Sequence, residues 1–536
     1  MAYKSVLKFL RTNAVWIVCA VLFFVGTFAL TRFTHLFISP DETANAFFVR
    51  AFAHTGSFRV FDAMNIAYEG ILHPRSIITD GAFLLPVSFL GLTLLYGSLT
   101  ALLGSWSLTL ITPTLVILAA FAWNKILERW FSKRIAFISS LLLLFHPAVW
   151  YYSARGLMPN VLFVCCVIFA AFFLLHFNNK KTPPSTTLPL HHSFTFFLSG
   201  FFLSLALVVR LSEVYWLIPL FVALLVVERK TFSLRKICFL AIGFAIPMLT
   251  LLFFNFKTYS APFMTGYSFV SSMQRVTTTT RSEDLLSWLL PFGFHPRAVF
   301  WNTRDYLLLL FWWLTIPTLC ALPIVWKNKK QKMYLLASML VAFWLCIWYG
   351  SWRLNDNPDP TQITIANSYV RYWLPLFVMS TPLIATSMTW ISECARSKKH
   401  QTILLFSCLL LVVALNVRIV YLEGQDALVR VVATLQRSEE IRDEVLTIVP
   451  ENGVIITDRS DKIFFPGRHV LVPLRSEKTF AMIPKMLEQT PVYYYGITFP
   501  QIDLDYLNQQ KLGPLGAQIE FIQSFGVESL YRITRP

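Results

Sequence analysis

The sequence predicts a mainly α, polytopic membrane bundle of about 11–13 spans followed by a small soluble α/β domain. Three observations predict it. The 536 residues are 56% hydrophobic and 14% charged, with a mean hydropathy of +0.57, whereas soluble domains carry about 25% charged residues. Long apolar runs recur up to residue 420, separated by short basic connections. Beyond 420 the pattern changes to short β-type runs between turn residues.

The first run, Ala14–Leu30, follows Lys4, Lys8 and Arg11. It is long for a signal-peptide core and no small-x-small cleavage site follows, so it reads as a retained span. Further runs lie at 82–123, 135–151, 158–177, 194–210, 213–228, 236–256, 304–325, 333–350, 370–391 and 401–420. The connections 124–134, 178–181, 228–236, 327–332 and 396–400 are basic, which places them and the N-terminus in the cytoplasm. Loops 35–80, 152–157, 211–212, 257–303 and 351–369 then face outward, and so does the tail. This holds if 82–123 makes one net crossing, its break at "LLGSW" (102–106) parting a partial or surface-lying helix from the true span. In the loop 257–303, Ser282 ahead of Glu283 and Asp284 predicts a capped helix on the outer surface.

The tail offers strands at 453–458, 469–474 and 491–497, a helix over 478–490 despite Pro484, and a final hairpin around Phe525-Gly526. The expected domains are therefore 1–420, a membrane domain, and 421–536, an extracytoplasmic α/β domain. The expected location is the plasma (inner) membrane.

The net charge of +17 raises nucleic acid as a partner, but Lys and Arg gather in the short loops that encode topology, so none is expected. The eight cysteines form no CxxC pair and none falls in 421–536, which supports neither a zinc site nor a disulfide framework. No GxSxG, P-loop, GxGxxG or HExxH occurs.

The predicted outer face collects charges that are costly near a membrane. Asp41 and Glu42 follow the first span in "SPDETANAFFVRAFAHTG". His73 and Arg75 lie in "EGILHPRSIITD", Arg155 and Asn160 in "HPAVWYYSARGLMPN", Arg210 in "VVRLSEVYW", and Arg371 with Tyr372 in "NSYVRYWLP". Each has a plainer role: the arginines can snorkel to lipid phosphates, and Asp41 can cap the helix that ends at Gly56. His73, His146 and His295 share no ligand spacing on one helix, so they are not read as metal ligands.

"PDETANAFFVRAFAHTGSF" resembles the first outer loop of GT-C glycosyltransferases that take sugars from polyprenyl phosphates, closest to aminoarabinose transferases and protein O-mannosyltransferases. "HPAVWYYSARGLMPNVLF", "RLSEVYWLIPL" and "RYWLP" resemble later stretches of that family. The resemblance implies a GT-C fold and an inverting transfer to an acceptor lipid, glycan or protein on the outer face. It makes Asp41 the general base, Glu42 its support, and Arg75, Arg155 and Arg371 partners of the departing lipid phosphate. His73, Asn160, Arg210 and Tyr372 complete the expected substrate-binding set. The chain departs from the family at His73-Pro74-Arg75, where relatives carry Lys-Pro-Pro or Glu-Lys-Pro, and at Asn160, where relatives carry an acid. With that acid replaced no metal ligand is assigned, and a divalent cation stays open as a cofactor. A transporter or lipid flippase is the alternative; it predicts inverted repeats and midplane charges, and the sequence shows neither. A lipid-linked-oligosaccharide ligase is a neighbouring enzyme reading.

Overall fold

A computed structural model describes residues 14–31, 34–175, 190–227, 233–275, 289–354 and 362–536. Apolar stretches without neighbouring water must bond their backbones internally, and helices do so within one segment. Among the described residues, five helices are long and apolar enough to cross a membrane: Ser105–Leu127, Leu234–Tyr259, Lys329–Gly350, Leu374–Glu393 and Lys398–Leu422. Three bent pairs meet the same test together. Lys133–Phe145 with Pro147–Ala154 bends by 45°, Ser193–Val209 with Leu211–Val226 by 114°, and Pro296–Leu309 with Trp312–Trp326 by 99°. Shorter apolar helices cover Ala14–Phe28, Gly91–Leu103 and Pro159–Leu175. The chain is a multi-pass helical membrane protein with a C-terminal sheet, as the sequence predicts.

The run 82–123 breaks where expected, at Gly104 with φ 88°, between Gly91–Leu103 and the short turn Ser105–Ser107. Its first residues differ from the expectation: Phe83–Pro86 is a strand. A short apolar run does not distinguish strand from helix by itself, and here two partner strands decide it. The surface helix expected from Ser282, Glu283 and Asp284 lies outside the described residues.

The chain divides into two compact units. The first comprises Met1–Thr31, Thr109–Leu251 and Thr279–Arg430; the second comprises Arg32–Leu108, Leu252–Thr278 and Val431–Pro536. In the first unit the helix Leu374–Glu393 is the most enclosed span, with 72% of its apolar window buried against 22% for Lys398–Leu422. Small and hydroxyl residues allow this, because they admit close neighbours and bond across helices. Trp123 donates to Thr381 at 3.0 Å, Tyr334 to the Met379 carbonyl at 2.7 Å, and Ser387 to the Pro317 carbonyl at 2.6 Å. Gly200 and Gly243 mark another close approach, where an added Cβ would lie 2.0 Å from the carbonyl oxygens of Leu240 and Phe197 respectively.

The second unit holds two sheets. Strands β1 (Val60–Phe61), β2 (Ile77–Thr79) and β3 (Phe83–Pro86) form a small antiparallel sheet in the order β1-β3-β2. Strands β4 (Val454–Thr457), β5 (His469–Leu471), β6 (Val492–Ile497), β7 (Gln518–Phe525) and β8 (Glu528–Thr534) form the larger sheet, β5-β4-β6-β8-β7. Its β5, β4 and β6 are parallel, and β8 pairs antiparallel with both β6 and β7. The core of this sheet includes Ile456, Ile483, Met486, Tyr494 and Tyr531, and also Tyr68 and Leu72 from the loop after the first span. Loop 35–80 and the tail thus share one hydrophobic core, and the compact units divide the chain elsewhere than at residue 420.

Candidate active site

The acid pair lies in the second unit, on the helix Pro40–Thr55. Sequence alone left Asp41 open as the cap of this helix. The cap is instead Ser39, whose side chain accepts from the Asp41 amide at 3.2 Å, with Pro40 in the first turn, where its missing N–H costs nothing. The helix ends as predicted at Gly56, φ 67°, whose amide bonds to the Phe52 carbonyl. Asp41 and Glu42 occupy the first turn, where the helix dipole favours negative charge. Glu42 is buried; Asp41 is half-buried and accepts from the Ser76 hydroxyl at 2.6 Å.

Arg75, expected to meet a phosphate, has another partner. Its Nε and Nη2 donate to Asp461 Oδ1 at 3.0 and 2.6 Å, and its amide donates to Oδ2 at 2.8 Å. Two guanidinium bonds to Oδ1 and one amide bond to Oδ2 form a lock in which one residue holds both oxygens of the carboxylate. His73 is packed beside it, with Nδ1 3.0 Å from the Pro74 carbonyl. Burial holds its imidazole below the ordinary value of 6.5, against the opposing pull of the Pro74 carbonyl, the Asp461 charge and the Ile77 carbonyl. Above pH 6.5 folded and unfolded chains both carry it neutral. Below 6.5 the unfolded chain takes up the proton first, so stability declines as pH falls through that window. Thermal unfolding in detergent at pH 7.5 and 5.5 checks this: His73→Gln loses less stability on acidification than the wild type.

The first unit holds the remaining candidates in two clusters. In one, Arg210 sits at the 114° bend and is buried. Its Nε donates to Glu213 Oε1 at 3.0 Å and its Nη2 to the Tyr349 hydroxyl at 2.8 Å. Tyr349 donates to the same carboxylate at 2.5 Å, and Trp216 to Oε2 at 2.6 Å. The guanidinium carbon lies 4.9 Å from the Tyr372 ring centroid, and Tyr372 stacks on Tyr349 at 4.5 Å. Arg210 is therefore held in a buried ion pair and against an aromatic face. Tyr372 supplies that face and stacks on Trp352 as well, at 5.6 Å.

In the other cluster the structure brings Arg371 to the turn that carries Arg155 and Asn160. Tyr152 donates to the Ala366 carbonyl at 2.9 Å, just before Asn367, which caps the short helix Ser368–Tyr372. Arg371 Nη1 lies 3.1 Å from Met158 Sδ. Arg155 is half-buried over the rings of Tyr151 and Tyr152, 5.6 and 5.9 Å from their centroids. Asn160 is buried in the first turn of Pro159–Leu175. Among the described residues no three His, Cys, Asp or Glu side chains gather as a metal site. The acid pair and its neighbour Ser76 do not make a metal donor set by themselves.

Sequence reasoning missed Ser39, Ser76, Tyr349 and Asp461. Ser39-Pro40 is a readable cap signal. The others are joined to their partners only by the fold.

No family model and no curated protein matches the sequence. The structure does have solved neighbours. ArnT from Cupriavidus metallidurans, an aminoarabinose transferase in its apo state, is similar over 97% of this chain and 98% of its own, with a TM-score of 0.54 and 11% identity. The archaeal oligosaccharyltransferase AglB from Archaeoglobus fulgidus, solved with an inhibitory peptide and a dolichol-phosphate, is similar over 91% of this chain and 70% of its own, with a TM-score of 0.52 and 11% identity. Both have the GT-C fold, and that is the fold of this chain.

Proposed function

We propose that the protein is a membrane glycosyltransferase that moves a sugar from a polyprenyl-phosphate donor to an acceptor on the extracytoplasmic face, with inversion. The observation that carries this is Asp41: on a GT-C fold, its carboxylate stands at a helix N-terminus and accepts from Ser76 while Ser39 does the capping. In the proposed step Asp41 takes the proton of the acceptor hydroxyl or amine. The acceptor atom bonds to the anomeric carbon as the bond from that carbon to the phosphate oxygen breaks, and the lipid phosphate leaves with the electron pair. The oxocarbenium-like transition state is stabilised by negative charge on the attacking side and by cations on the leaving phosphate. Arg155 and Arg371 are proposed as phosphate partners on their residue type, since a planar guanidinium matches a phosphate in charge and hydrogen-bond geometry. The donor tail stays in the bilayer throughout.

Mass spectrometry of envelope glycans, lipids and proteins from a deletion strain tests this reading. One glycosyl modification is expected to disappear and to return with the wild-type gene; an unchanged envelope contradicts it.

The proposed sidedness has its own test, thiol labelling of single cysteines in a Cys-free background. Positions 54, 500, 329 and 398 are exposed and suit the reagent. An impermeant reagent is expected to reach 54 and 500 from outside, and 329 and 398 only after permeabilisation. The reverse pattern inverts the topology.

A further inference from the structure

The candidate base is held by more than its own helix. Asp461, wholly buried at the start of the short helix Asp461–Phe464, receives three hydrogen bonds from Arg75, one from the amide and two from the guanidinium. The Arg459 carbonyl accepts a further bond from the same guanidinium, at 2.5 Å. An acid so thoroughly removed from water is tolerable only when its partner's geometry is good, and here one residue satisfies both of its oxygens. The lock fixes the chain at Arg75, and the next residue, Ser76, holds φ 64°, a backbone conformation that residues with a Cβ seldom adopt. In that conformation the Ser76 hydroxyl meets Asp41 Oδ1 at 2.6 Å.

The same short helix grips the chain entering the Asp41 helix. Lys462 Nζ donates to the Ile38 carbonyl, three residues before Asp41. Phe465 packs edge-on against Phe47, with ring centroids 4.9 Å apart. All of these residues belong to the second unit. Asp461, Lys462 and Phe465 follow the end of β4, and in open α/β sheets the segments beyond the carboxyl ends of parallel strands are where working residues collect.

We infer that Asp461 is a positioning residue for Asp41, acting through Arg75 and Ser76, so that the C-terminal sheet domain sets the geometry of the base. This rests on the sugar-transfer reading above. A carboxylate displaced by about 1 Å from the acceptor proton can cost on the order of 100-fold in rate while leaving ground-state binding intact. The effect therefore belongs in kcat.

The test measures sugar transfer by wild type, Asp461→Asn, Ser76→Ala and the double variant, each purified full-length, with thermal midpoints recorded alongside. Each single variant is expected to lower kcat about 10- to 100-fold with KM changed less than roughly twofold. The double variant is expected to fall no further than the worse single, because both changes cut one chain of contacts. Ser76→Ala removes only a hydroxyl, so it decides the matter even if Asp461→Asn folds poorly. Wild-type kcat in Ser76→Ala overturns the inference, as do effects that multiply in the double variant. Inactive wild-type protein instead overturns the sugar-transfer reading itself, and the inference with it.

Discussion

Asp41→Asn is expected to abolish sugar transfer while expression and thermal midpoint stay near wild type. Loss of a general base costs about 10²–10⁴-fold in rate. The substitution is nearly isosteric, and its carbonyl oxygen can still accept from Ser76, so the loop contact survives. The helix keeps its start as well, because Ser39 is the cap. Two effects are thereby separated that the sequence could not separate. A structural role for Asp41 predicts lower stability with activity following it down, whereas a base predicts an inactive protein of normal stability. The expected readout is product formation from a polyprenyl-phosphate sugar, with circular dichroism and melting as controls.

Glu213→Ala is expected to destabilise the first unit by about 3–5 kcal/mol, since it leaves the buried Arg210 guanidinium without its acid. The Tyr349 hydroxyl and the Trp216 indole also lose the acceptor they share. The measurement is thermal unfolding in detergent, compared with Tyr349→Phe, which removes one neutral partner and is expected to cost about 0.5–1.5 kcal/mol. Replacing both charges at once, Arg210→Met with Glu213→Leu, is expected to recover part of the loss. If Glu213→Ala melts as wild type but no longer binds donor, Arg210 is a substrate contact after all.

The fold was legible where chemistry is periodic or punctuated. Apolar runs of span length, basic loops, Gly56 as a helix end and the Phe525-Gly526 hairpin could all be read directly. The strand Phe83–Pro86 could not, because its four apolar residues continue into an apolar helix and only pairing with β1 and β2 makes it a strand. The helix Leu428–Ile448 was missed although its signal was present: Leu428, Val431, Leu435, Ile441 and Val445 are buried at helical spacing amid charged residues.

At the candidate site, residue type did not reveal the partners. Arg75 and Arg155 look alike in sequence; one closes on Asp461, 386 positions away, and the other lies over two tyrosine rings. Which partner each arginine meets follows from tertiary contacts that no local pattern encodes.

The central claim is that this chain transfers a sugar from a lipid phosphate by way of Asp41. The most direct measurement reconstitutes purified protein in liposomes with polyprenyl-phosphate sugars and an envelope extract as acceptor, and follows both the released polyprenyl phosphate and the new glycoside. The account predicts stoichiometric release, a glycoside whose anomeric configuration is opposite to the donor's, and neither product with Asp41→Asn. Retention of configuration, or release and transfer undiminished in Asp41→Asn, would contradict it.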